Sequence, residues 1–123
     1  LRTGYAGGFL HPTTGYSFPV AARLASFIAR RPPDALFGAD FDKFLREHAR
    51  QLRFGELLNR LLFQAFEPER RRAVFERFYR LPQETIARFY ALETTSLDRT
   101  KILCGRPPRG LSLKRALLGG LHP

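Results

Sequence analysis

Prolines divide this chain into short stretches, and each stretch carries the apolar period of a helix. Pro19, Pro32, Pro33, Pro68 and Pro82 border segments whose apolar residues recur every three or four positions. Proline lacks the amide that continues a helix, yet it suits a helix's first turn, where that amide has no partner. Behind Pro19, Val20, Leu24, Phe27 and Ile28 share one face of a first helix, with Ser17 or Thr14 as its N-cap; Pro32 and Pro33 stop it. After the Gly38 turn a second helix begins near Asp40, with Phe41, Phe44, Leu45, His48 and Leu52 in one stripe. Phe54, Leu57, Leu58, Leu61, Leu62 and Ala65 resume it out of phase, which predicts a bend near Gly55. Glu67, Pro68 and Glu69 open a third helix, the acids complementing its positive end. Leu81-Pro82 breaks that helix and starts a fourth, which reaches about Leu92. A fifth spans Ser96 to Cys104, stopping at Gly105, and a last short one lies near Leu111–Leu118. Alternating, strand-like patterning is almost absent, apart from a possible short strand or turn before His11. The fold class is mostly α.

The 123 residues suffice for one core. An echo, "RFYRL" at 77–81 and "RFYAL" at 88–92, is too brief for a repeat array and predicts two helices packed through Phe78, Tyr79, Phe89 and Tyr90. Cys104 is alone, which fits a reducing compartment, and the three widely spaced histidines predict no metal site. No apolar run approaches the roughly 20 residues that span a bilayer. The chain opens at Leu1 without a methionine or a signal-peptide pattern, so it is expected to be the C-terminal piece of something longer. A net charge of +10 suits an anionic partner, whether nucleic acid, phosphate or acidic lipid. Most of the basic residues are arginines spread along the helices, a pattern equally suited to a solvated surface.

The approach to the first helix is richer than a connection needs. "GYAGGFLHPTTGYS" places glycines at 4, 7, 8 and 15, where no Cβ blocks a close ligand. A helix starting near Ser17 aims its unpaired N–H groups and positive dipole end at that loop, a setting for an anion such as a pyrophosphate. His11, Thr13, Thr14, Tyr16 and Ser17 add donors. A tight turn with an N-cap explains the same residues.

The run "HPTTGYSFP" resembles the C-terminal flavin-binding segment of the bacterial lycopene β-cyclase family. "LLNRLLF", "PERRRAVFERFYRLPQETIARFYA" and "DRTKILCGRPP" resemble later segments of that family in the same order. The resemblance implies the end of a Rossmann-type α/β FAD-binding flavoprotein: residues 1–33 closing the FAD-binding domain, and 34–123 forming a C-terminal helical region. It implies conversion of lycopene through γ-carotene to β-carotene, a non-redox cyclisation that requires reduced FAD, with NAD(P)H as reductant. The residues carried over as cofactor-binding are Gly7, His11, Pro12, Thr13, Thr14, Gly15, Tyr16 and Ser17. Gly15 and the amides after it would face the flavin or pyrophosphate, Pro12 would fix the turn, and Tyr16 would contact flavin, polyene or the core. His11 would serve the site or bond loop carbonyls.

The catalytic acid and the dinucleotide fingerprint have no counterpart in this chain and are expected upstream, in the remainder of the parent protein. Ala6-Gly7 is followed by Gly8 where related flavoproteins place an Asp on the ribityl chain, so this piece alone is expected to bind FAD weakly or not at all. A membrane-dwelling polyene implies a cytoplasmic, peripheral-membrane protein. "RRRAVFERFYR", with arginines around Val74, Phe75 and Phe78, is the candidate membrane surface, although the same rings also suit a core. The rivals are another FAD-dependent isoprenoid reductase or monooxygenase, and a non-enzymatic basic helical module. Neither zinc spacing nor a recognition-helix pattern is present, so no nucleic-acid partner is expected.

Overall fold

The computed structural model describes residues 2–104. Within them α1 (Phe18–Ala29), α2 (Ala39–Ala65), α3 (Pro68–Phe78), α4 (Gln83–Tyr90) and α5 (Ser96–Leu103) follow one another, with no strand among the described residues. A 3-10 turn at Gly4–Gly7 occupies the place of the possible strand, and another spans Pro33–Ala35. The "GRPPRG" loop and the expected helix near Leu111–Leu118 lie outside the described residues.

The prolines act as expected. Pro19 and Pro68 sit in the first turns of α1 and α3, and Pro82 precedes α4. Ser17 is the N-cap residue of α1, but neither its hydroxyl nor that of Thr14 caps the helix. The reason is conformational: Ser17 has φ −115° and ψ −18°, near-helical rather than extended, so its hydroxyl is not turned back toward the first-turn amides. Thr14 Oγ1 instead accepts from Tyr16 N at 3.2 Å. Helix α2 runs through Gly55 without interruption.

The main core joins Phe9, Val20, Leu24, Phe41 and Leu92, with Phe27, Phe44 and Leu52 packed around it. Residues before and after position 33 thus share one core. Leu92 closes α4 at φ 54°, a conformation usually left to glycine. Glu93 N donates to Arg88 O and Leu92 N to Phe89 O, the two bonds of a Schellman turn. A leucine there costs about 1 kcal/mol in backbone strain, offset by about 2 kcal/mol from burying its side chain, which is 4% exposed. Gln51 of α2 holds the segment that follows, its Nε2 donating to Thr94 O and its Oε1 accepting from Thr94 N and Oγ1.

The "RFYRL" and "RFYAL" copies meet as expected. Phe78 lies edge-on to Phe89 at 4.8 Å between ring centres, and the Tyr79 and Tyr90 hydroxyls are 2.7 Å apart. That contact pushes the Tyr90 pKa up to about 12. Beside them, Asp98 anchors α5 to α4. Thr95 and Asp98 form a reciprocal capping box, and the carboxylate also accepts from Thr85 Oγ1 and from Arg88 Nε and Nη2. The Arg88 guanidinium, helped by Thr95 and Thr85, holds Asp98 far below the usual carboxylate range despite its burial.

Candidate functional site

The loop at residues 11–17 is closed on itself before it meets anything else. His11 N donates to Tyr16 O and Gly15 N donates to His11 O, both at 2.8 Å. Gly15 makes this possible with φ 72°, and Tyr5 Oη donates to its carbonyl at 2.9 Å.

His11 fastens the loop to the helical body. Its ring is 1% exposed and lies edge-on to Phe89, with 4.5 Å between ring centres. Nδ1 accepts from Thr13 N at 3.1 Å and Thr14 N at 3.3 Å, while Nε2 is 3.0 Å from Phe89 O. A carbonyl needs a donor and two amides need an acceptor, so the ring is the neutral Nε2–H tautomer. Burial lowers its pKa, outweighing the Phe89 carbonyl. A second histidine does similar work nearby: His48 Nε2 is 3.0 Å from Gly8 O, and its ring stacks on Phe9.

Pro12 and Thr13 face α2. A Cβ on Gly55 would run into the Pro12 ring, so this mid-helix glycine is where the loop seats against α2. Asn59 Nδ2 donates to Pro12 O at 2.9 Å and Thr13 Oγ1 to Gly55 O at 3.4 Å. Gly7 stands apart: a Cβ there would strike the Arg2 carbonyl, so its requirement belongs to the N-terminal turn.

The residues expected at the cofactor therefore divide. His11, Pro12 and Thr13 face inward and hold the loop; Thr14 and Tyr16 are exposed on its outer side. The Gly15 and Tyr16 amides, expected to face the ligand, are already engaged within the loop. What the loop leaves unpaired among the described residues are the amides of Ser17, Phe18 and Val20. They stand at the positive end of a 12-residue helix, beside a glycine and an exposed Phe18. Gly55, Asn59 and Phe89 were not singled out from sequence as parts of this site. A glycine inside a helix was the one available signal, and it fits close approach as well as a bend.

Comparison with known proteins bears on what this loop belongs to. Residues 1–116 match the family described as "Lycopene cyclase protein". The chain belongs to the lycopene cyclase family. A "Lycopene beta-cyclase" of Paracoccus sp. is 46% identical over 112 residues, covering 88% of this chain and 29% of that protein. The protein of the same description from Pseudescherichia vulneris is 44% identical over 110 residues, covering 87% and 28%. That from Pantoea ananas is 42% identical over 108 residues, covering 86% and 28%. This lycopene cyclase family member thus spans less than a third of the length of these curated relatives. No solved structure matches it.

Proposed function

We propose that this chain is the C-terminal portion of a lycopene β-cyclase, acting in carotenoid synthesis to convert lycopene through γ-carotene to β-carotene. The observation that carries the reading is the kinship with three proteins named lycopene beta-cyclase, at 42% identity or more over nearly all of this chain. The mostly helical frame and the rigid loop at residues 11–17 suit the role of a cofactor-facing end piece.

The cofactor of this reading is FAD in its reduced form, with NAD(P)H as the source of electrons. Reduced flavin supplies electron density beside a substrate that passes through cationic character. The residues present fit part of such a group: the unpaired Ser17, Phe18 and Val20 amides suit a pyrophosphate or a ring carbonyl, and Gly15 adds no side chain in front of them. His11, Pro12 and Thr13 position that helix entry from behind, while Thr14 and Tyr16 are free to contact ligand. In this reading residues 1–33 close a FAD-binding domain and 34–123 form a helical region, the acid and the remaining dinucleotide contacts coming from the rest of the parent chain. The protein would work in the cytoplasm against a membrane surface. Exposed Phe63, Phe75 and Tyr79 beside Arg71, Arg72 and Arg80 provide the combination of rings and cations that such a surface takes. No helix among the described residues is long and apolar enough to cross a membrane.

The test is expression of the complete gene in lycopene-accumulating bacteria. Conversion of the red pigment to cyclised orange carotene is expected, and unchanged lycopene alongside soluble, flavin-loaded protein would refute the reading.

A further inference from the structure

A cavity of about 320 Å³ lies between the C-terminal half of α2, α3, α4 and the end of α5, where Ile102 and Leu103 line it. Leu58, Leu61 and Leu62 of α2 face Val74 and Phe78 of α3 and Phe89 of α4 across it. Thr13 and Thr14 of the helix-entry loop also line it, so the cavity adjoins the proposed cofactor face. Phe75 and Tyr79 belong both to its wall and to an open surface groove flanked by Arg71, Arg72 and Arg80.

The chemistry of the lining selects its occupant. Eleven of the sixteen lining residues are apolar, and the polar side chains among the rest are partly engaged within the protein. Thr13 Oγ1 bonds Gly55 O, Thr14 Oγ1 bonds Tyr16 N, Arg77 Nη2 bonds Ile102 O, and Tyr79 bonds Tyr90. Over walls that are mostly hydrocarbon a polar ligand would give up more water contacts than it regains, whereas an apolar one gains from burial. At roughly 30 Å³ per heavy atom, the share of a water molecule in liquid, 320 Å³ admits about ten carbons. That is one end of a long polyene, not its length.

We infer that this cavity receives one end group of a neutral, linear isoprenoid hydrocarbon, held next to the loop at residues 11–17. The inference rests on the cyclase reading for the identity of that hydrocarbon. Val74, Leu61 and Phe78 then set how bulky an end group is admitted. The shared Phe75 and Tyr79 wall places the cavity beside the arginine-flanked face, so a lipid-dissolved chain can reach it without crossing water.

The probe is diphenylhexatriene, a neutral linear polyene that is dark in water and fluorescent in apolar surroundings, titrated into the 123-residue chain. Binding is expected, with affinity falling at least about tenfold in Leu61→Trp and Val74→Trp, which fill the cavity, and unchanged in Ala22→Trp on exposed α1. On the unvaried chain, the acyclic hydrocarbon myrcene is expected to displace the probe and geranyl phosphate is not. This arm stands even where a tryptophan variant fails to fold. No binding, binding indifferent to both fillings, or displacement by geranyl phosphate as readily as by myrcene would each overturn the inference. So would binding that emerges only after residues 105–123 are removed, which would assign the cavity to the chain's own terminus. In the complete protein, Val74→Trp is expected to cut cyclised pigment at least about tenfold in lycopene-accumulating cells. Pigment that stays uncyclised even without substitution, while the probe results hold, would remove the cyclase reading and leave the hydrocarbon cavity standing.

Discussion

Replacing Asp98 with asparagine changes one oxygen to an NH2 group at a site built wholly from donors. The carboxylate is inaccessible to solvent and accepts from Arg88 Nε at 2.6 Å, Arg88 Nη2 at 2.7 Å, and Thr85 Oγ1, Thr95 N and Thr95 Oγ1 at 2.9 Å each. The asparagine side chain would offer one acceptor oxygen, and its amide hydrogens would face donors that cannot turn away together. Breaking a buried ion pair costs about 3–5 kcal/mol. Arg88 remains 38% exposed and can recover water, so the low end applies, about 3 kcal/mol with the weakened cap included. For a domain of this size that lowers Tm by about 12 °C.

The assay is urea unfolding of Asp98→Asn against the unvaried chain across pH. Asp98 has a folded pKa below its unfolded value, so its contribution is complete above about pH 4 and is lost as pH falls further. The gap between the two proteins should be full at pH 7 and narrow steadily from about pH 4 to pH 2. A difference under about 1 kcal/mol at pH 7, or one that does not shrink in acid, would refute the assignment of Asp98 as the ionised anchor of α5.

Three further outcomes follow from the geometry. Gly55→Ala should destabilise by about 1–2 kcal/mol in thermal melts despite alanine's better helix propensity, because its methyl meets the Pro12 ring; adding Pro12→Ala should restore most of the loss. Imidazole nitrogen NMR should find His11 as the neutral Nε2–H tautomer at pH 7. Because burial lowers its folded pKa, the stability it contributes should be complete above about pH 6.5 and decline as pH falls below that, a decline reduced in His11→Gln. Under the proposed membrane contact, changing Arg71, Arg72 and Arg80 together to Gln should weaken binding of the complete protein to anionic vesicles by about 100-fold at low salt, measured by co-sedimentation. Equal binding by the variant would take the membrane contact away from this face.

The helical segmentation was readable from the chain because proline geometry and the three-to-four-residue apolar period are local properties. The limits of α1, α3, α4 and α5 fell close to the expected ones for that reason. The pairing of the two "RFY" copies was also legible, since a short helix–turn–helix brings residues 11 apart into contact. Gly55 was legible only as a position with something to explain. A glycine inside a helix fits a bend and a close approach equally, and the close approach shows only through the Pro12 ring, far earlier in the chain.

The site followed the same division. A close relationship to cyclases was carried by consecutive residues such as "HPTTGYS" and needed no knowledge of the fold. Which of those residues turn inward and which stay exposed depended on partners far along the chain: Phe89 O for His11 and Asn59 for Pro12. Asp98 drew no notice in the sequence, because an acid near a helix start is expected on local grounds alone. Its complete burial exists only once α4 brings Thr85 and Arg88 against it. The chain by itself determined where the backbone is helical and where it must turn. Tertiary packing decided which amides stay open, which polar atoms are satisfied and where an apolar cavity remains, because those depend on contacts between residues that no local period relates.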